Sequence, residues 1–233
     1  MVTAGNWTWV VTGAHVPFQP EIPLSNTFGW LLSGMFLIGV LHLITQPDAQ
    51  GNVISDTEFR NFFCLLVAAG NDTTRYSIAA ALHALANQPG LMAQLKSVQG
   101  DAAWEGVADE FIRWASPATH FRRTATEDFE YHGKKVLAGD KVLLWFISGN
   151  RDERAFEQPF TVNLNRGVNR HLSFGQGGAH ACLGMWLARL ELRVLMQELI
   201  KRVERIEQTG EHLFLRSNFV CGIKRLPVRM HLN

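Results

Sequence analysis

A cysteine at the end of a glycine-rich run is the residue of this chain best placed to do chemistry. The run reads Phe174-Gly175-Gln176-Gly177-Gly178-Ala179-His180-Ala181-Cys182-Leu183-Gly184. Glycines let the backbone approach a large flat ligand and reach positive φ. A helix is expected to begin directly after the cysteine, where unpaired N–H groups and the helix dipole favour negative charge on sulfur. Sulfur presented this way can be a nucleophile, a zinc ligand or the axial ligand of heme iron. The plain alternative is a small core side chain. A second constellation is Ala69-Gly70-Asn71-Asp72-Thr73-Thr74. Gly, Asn, Asp and Thr are mediocre to poor helix formers, Gly by about 1 kcal/mol relative to Ala. Their grouping inside a helical stretch conflicts with local preference, and such conflicts mark function; the structural alternative is a kink from threonine bonding back to the preceding turn. Third, Glu110 and Arg113 stand three apart, on one helix face, where they can pair. On a surface such a pair contributes little.

The elements that position these residues are mostly helical. Ser55-Asp56-Thr57-Glu58 reads as a capping box and Gln88-Pro89-Gly90 as a stop, which predicts a helix from residue 55 to about 87. At about 1.5 Å per residue it is roughly 48 Å long. Its charge-poor first half predicts burial on most sides. Helices are expected at 91–97 and 103–114, the second closed by Ser116-Pro117, because the residue before proline leaves helical geometry. Alternation and turn residues predict a small sheet over 121–147, with turns at His132-Gly133 and Ala138-Gly139-Asp140. Irregular chain follows to 182, then a helix over 183–205 with Leu183, Leu187, Leu190 and Val194 on one face. The tail reads as a hairpin over 214–228 with its tip at Cys221-Gly222. The fold class is mainly α with a small β-sheet. The 233 residues suffice for one large domain or two small ones. A formal net charge of +1 gives no nucleic-acid patch and no acidic tail. Cys64, Cys182 and Cys221 are widely spaced and odd in number, against a disulfide framework and in keeping with a reducing cytoplasm.

In order and type, these motifs resemble those of soluble bacterial cytochromes P-450. The cysteine run is similar to the signature Phe-Gly-x-Gly-x-His-x-Cys-x-Gly, with one residue more between Phe174 and Cys182. Glu110 and Arg113 match the Glu-x-x-Arg motif, and 69–74 looks like the oxygen-activation motif of the central helix. The likeness runs from about Leu41 to Leu232, so residues 41–233 are expected to form the carboxy-terminal heme-binding portion of that fold. The resemblance implies heme b, with Cys182 as iron ligand and Phe174, Gly178 and Gly184 shaping the loop around it. It implies that Arg123 and His171 each meet a heme carboxylate by a charge-assisted bond, while His180 packs beside the loop. Glu110, Arg113 and Arg166 are implied to form a buried network that anchors the loop. Asp72 would feed protons inward and Thr73 would hold dioxygen and water, the helix opening beside Gly70. Ala69, Gly70, Ala118, Thr119, Phe219 and Val220 would line the substrate pocket. The activity implied is insertion of one atom of dioxygen into a C–H bond of a small apolar substrate (a terpenoid, a sterol or another lipid). Electrons would come from a ferredoxin-type donor.

Residues 1–40 match nothing in that family. Residues 1–47 hold one charged side chain, Glu21, and Phe28–Ile44 is an uncharged run of 17, at the short limit for spanning a bilayer. The first basic residue is Arg60, which argues against a signal peptide. A packed or disordered helical remnant is expected ahead of a membrane anchor. Complete catalytic domains of the family are nearly twice this length, so the central helix and the cysteine loop are expected to show large apolar surfaces. Two rival readings stand beside the enzyme: an inactive heme-region fragment, and a membrane-anchored interaction protein.

Overall fold

The computed structural model describes residues 2–4, 7–9, 15–16, 19–23, 47, 51–176, 178 and 180–233. The run Phe28–Ile44, with the question of an anchor, lies outside them, as do Gly177 and Ala179. No helix among the described residues is long and apolar enough to cross a membrane. The chain divides into two compact units, Met1–Leu66 and Val67–Asn233.

The first unit holds two antiparallel hairpins, β1 (Val2–Ala4) with β2 (Trp7–Trp9) and β3 (His15–Val16) with β4 (Gln19–Pro23). It also holds the start of α1 (Asp56–Asn87). That helix begins where the capping box places it. The Ser55 N–H and hydroxyl donate to the Glu58 carboxylate at 2.9 and 2.7 Å, and the Glu58 N–H returns a bond to the Ser55 oxygen at 3.3 Å.

The second unit is built on α1, α2 (Leu91–Lys96), α3 (Asp101–Ala115) and α5 (Met185–Arg202). Trp104, Val107, Ala108, Phe111 and Ala115 recur at three- and four-residue spacing on α3 and are buried, the pattern of a helix with one apolar stripe. Trp104, Val107, Ala108 and Phe111 of that stripe share one core with Leu192, Met196 and Leu199 of α5 and with Ala81 and Leu85 of α1. Full burial of a side chain such as Phe111 contributes about 1.5–3 kcal/mol. α3 ends at Ser116, which takes a left-handed φ of 42° ahead of Pro117.

Several expectations change here. The span 121–147 forms two two-stranded sheets rather than one: β5 (His120–Thr124) pairs with β8 (Lys141–Trp145), and β6 (Phe129–Tyr131) with β7 (Lys134–Val136). A short α4 (Phe146–Gly149) follows. α5 starts at Met185 and stops at Arg202, short of 205, because Val203–Gln208 leaves as strand β9 to pair with β12 (Val228–Leu232). Its inward face is Leu192, Met196 and Leu199; Leu183, Leu190 and Val194, together with Trp186, are exposed. The last hairpin is β10 (Leu213–Phe214) with β11 (Ile223–Arg225), so its loop spans 215–222 and Cys221-Gly222 lies on the returning side. α1 is buried only from Tyr76 onward; Leu65 and Val67 in its first half are 62% and 48% exposed, so few charges there do not mean burial.

Candidate functional site

The cysteine run folds into a tight loop. The Gly175 N–H donates to the Leu172 carbonyl at 2.8 Å, and the Cys182 N–H donates to the Phe174 carbonyl at 2.9 Å, closing the loop at its two key residues. Gly175 and Gly178 take φ of 72° and 74°, a region that costs side-chain-bearing residues strain and glycine almost nothing. Gly184 directly precedes α5, so Cys182 sits just ahead of the helix rather than on it. Its thiol is free and partly buried, and no described residue hydrogen-bonds the sulfur.

The stem of the loop is held by a buried ionic cluster. Glu110 and Arg113 are both fully buried. Glu110 accepts from Arg113 Nε and Nη2 at 2.8 Å each, from Arg166 Nε at 2.8 Å, from the Asn163 N–H at 2.8 Å and from Asn169 Nδ2 at 3.0 Å. Arg113 spends its remaining donors on the carbonyls of Asn150, Pro159 and Thr161. Burial pushes the Glu110 carboxyl up, but the bonds from Arg113, Arg166 and Asn163 outweigh it and hold the group below the usual glutamate range. The predicted trio is therefore assembled, with two asparagines added. Asn150, which no motif pointed to, is fully buried. Its Nδ2 donates to Ser116 and Ser173 Oγ at 2.9 Å each, and its Oδ1 accepts the Leu172 N–H at 2.6 Å. It thus ties the end of α3 to the start of the cysteine loop.

His171 lies at the start of the cysteine loop, between Asp109 and Ser173. Its ring is buried, Nδ1 accepts the Ser173 N–H at 3.2 Å, and Nε2 faces Asp109 Oδ1 at 3.1 Å. Both ring nitrogens are thus engaged within the protein. His180 is exposed on the loop. Arg123 is exposed on β5, its guanidinium donating only to the Arg122 carbonyl at 3.0 Å.

α1 stays helical through 69–74, and the expected opening beside Gly70 is not present. Thr73 Oγ1 donates to the Ala69 carbonyl at 2.6 Å, the back-bonding that a threonine inside a helix adopts. Asp72 is paired with Arg75 Nη2 at 2.6 Å, and the same nitrogen reaches the Tyr76 hydroxyl at 3.0 Å. The four pocket positions from the later chain do come together. Ala118 and Val220 form a β-bridge, and the Thr119 N–H and hydroxyl each donate to the Phe219 carbonyl at 3.0 Å. The Phe219 ring lies edge-on to Phe121 at 5.6 Å.

The donor set around Cys182 narrows its chemistry. Among the described residues no group of three or more His, Cys, Asp or Glu side chains could hold a metal ion. A lone thiolate does not make a zinc site, which needs at least three protein ligands. It does suit an iron that brings its own four nitrogens in a porphyrin. The residues therefore fit a heme.

The family model for cytochrome P-450 matches residues 104–230, from α3 through the cysteine loop to β12. The chain belongs to the cytochrome P-450 family. It is 44% identical over 192 residues to a methyl-branched lipid omega-hydroxylase of Mycobacterium tuberculosis, covering 79% of this chain and 43% of that protein. It is 37% identical to a steroid C26-monooxygenase of the same species, covering 79% and 42%. Among solved structures it resembles a Mycobacterium marinum cytochrome P-450 in complex with pseudoionone, with TM-score 0.75, 39% identity and coverage of 81% and 45%. It also resembles cytochrome P-450-153 from Novosphingobium aromaticivorans, with TM-score 0.71, 34% identity and coverage of 93% and 55%. The chain spans less than half the length of these curated relatives. The family implies a heme cofactor.

Proposed function

We propose that this P-450 chain is the heme-thiolate portion of a monooxygenase that inserts one atom of dioxygen into a C–H bond of an apolar, lipid-like substrate, with Cys182 as the iron ligand of heme b. The observation that carries the reading is the solitary, partly buried Cys182 sulfur at the mouth of a loop closed by the Phe174–Cys182 backbone bond. When bound, the heme supplies the oxidising chemistry, and a thiolate ligand pushes electron density that favours O–O cleavage.

The chain's own residues position and supply protons. Thr73 uses its hydroxyl proton on Ala69 and keeps oxygen lone pairs to accept from water or a protonated neighbour. Asp72, paired with Arg75 Nη2 at 2.6 Å, is the residue that would pass protons inward from solvent. Phe174, Gly178 and Gly184 shape the ligand loop. Of the groups near the loop and β5, exposed Arg123 and His180 are free to meet cofactor carboxylates. Ala118, Thr119, Phe219 and Val220 form one wall of the substrate pocket, and Ala69 and Gly70 of α1 form another. A lipid-like substrate is supported by relatives named for a methyl-branched lipid and a steroid. Electrons would come from a ferredoxin-type donor, as the likeness to soluble bacterial members implies. The test is hemin titration of the full chain: Cys182→Ser must abolish tight stoichiometric uptake while Cys64→Ser and Cys221→Ser retain it. Equal uptake by all three defeats the proposal.

A further inference from the structure

Asp109 belongs to none of the recognised motifs, yet it grips both flanks of the residue that closes the cysteine loop. Its Oδ1 accepts from Arg189 Nε of α5 at 2.7 Å and from the nearly fully buried His171 Nε2 at 3.1 Å. Because His171 Nδ1 accepts the Ser173 N–H at 3.2 Å, the Nε2 carries the proton and donates it to the carboxylate. Both partners then pack on Phe174. The Arg189 guanidinium lies 4.9 Å from the Phe174 ring centroid and 5.0 Å from that of Trp186, and the His171 ring is 5.3 Å from Phe174. Phe174 in turn supplies the carbonyl that receives the Cys182 N–H.

We infer that Asp109 is a positioning residue that sets the presentation of the Cys182 sulfur to the iron, acting through His171, Arg189 and Phe174. The inference rests on the heme-thiolate reading. Its physical basis is the cost of leaving a partly buried cation and a buried imidazole without their shared acceptor. The two neighbouring carboxylates divide the work. Glu110 holds the stem, through Asn163, Arg166 and Asn169. Asp109 holds the segment 171–174 and the first turns of α5. Sequence spacing gives no sign of it, since its partners lie 62 and 80 residues away.

The experiment compares the full chain, loaded with hemin, with Asp109→Asn, Asp109→Glu and Arg189→Lys. Asp109→Asn should weaken hemin retention by about tenfold, the low end for groups that orient a ligand without touching the metal. It should also move the reduced carbon monoxide band from the thiolate to the neutral-thiol position. Amide exchange should quicken at Cys182 while β9 and β12 are unaffected. Asp109→Glu should restore the band in part, and Arg189→Lys should give an intermediate loss. Unchanged exchange at Cys182 in Asp109→Asn overturns the inference, and so does acceleration shared equally by β9 and β12, which marks a general loss of stability. If wild type takes up hemin without a thiolate band, the heme-thiolate reading fails. Exchange at Cys182 in the hemin-free samples then still decides whether Asp109 holds the loop.

Discussion

Replacing Glu110 by glutamine tests whether the buried cluster holds the loop stem. The substitution keeps size and shape but removes the charge. Five donors converge on the two carboxylate oxygens, two on Oε1 and three on Oε2. Whichever way the new amide turns, its NH2 group faces donors. The guanidiniums of Arg113 and Arg166, 0% and 7% exposed, lose their counter-charge. Removing one member of such a buried pair costs about 3–5 kcal/mol. With a urea slope near 2 kcal/mol per M, the unfolding midpoint should fall by roughly 1.5–2.5 M at unchanged slope. Arg154→Ala, which breaks an ion pair whose arginine is 89% exposed, serves as the control and should leave the midpoint where it is. Because the folded Glu110 carboxyl titrates below its ordinary value of 4.5, its contribution is complete above that pH and is lost as pH falls through the depressed folded value. The variant should therefore also have a flatter acid limb. A midpoint shift under about 0.5 M, with the acid limb unchanged, refutes the reasoning.

Further outcomes follow from other sites. Asn150→Ala strands the Leu172 N–H and removes the donor to two serine hydroxyls that keep their own carbonyl partners, and should lower stability by about 1–3 kcal/mol in the same urea assay. A Cβ at Gly222 would stand inside the Tyr76 ring; Gly222→Ala should cost about 1–3 kcal/mol and speed amide exchange across β10 and β11. His83 is pushed below 6.5 by burial first and by His212 second, their rings 4.5 Å apart. Its contribution is full above 6.5 and is lost as pH falls through the lowered folded value. Thermal unfolding followed against pH should show that loss in wild type and not in His83→Gln.

Much of this was legible in local sequence. Ser55 and Glu58 fix the start of α1 because a capping box is a contact between neighbours, and Gln88-Pro89-Gly90 fixes its end. Glu110 and Arg113 were legible for the same reason. What the sequence hid is non-local. Val203 to Gln208 carries helix-tolerant Glu and Arg, and only pairing with β12 draws it into a strand. Asp109, Asn150 and Arg189 look like ordinary polar residues until the fold brings their partners to them. The contact of His171 with Asp109, 62 residues earlier in the chain, has no trace in local spacing either. The exposed half of α1 shows the limit of composition as a guide: an absence of charge says what a surface tolerates, not what covers it.

The most direct test of the central claim is the carbon monoxide difference spectrum of the reduced, hemin-loaded full chain. Iron held by the Cys182 sulfur gives a thiolate-type Soret band that Cys182→Ser removes and that Cys64→Ser and Cys221→Ser preserve. A spectrum lacking that band, or one indifferent to residue 182, contradicts the account.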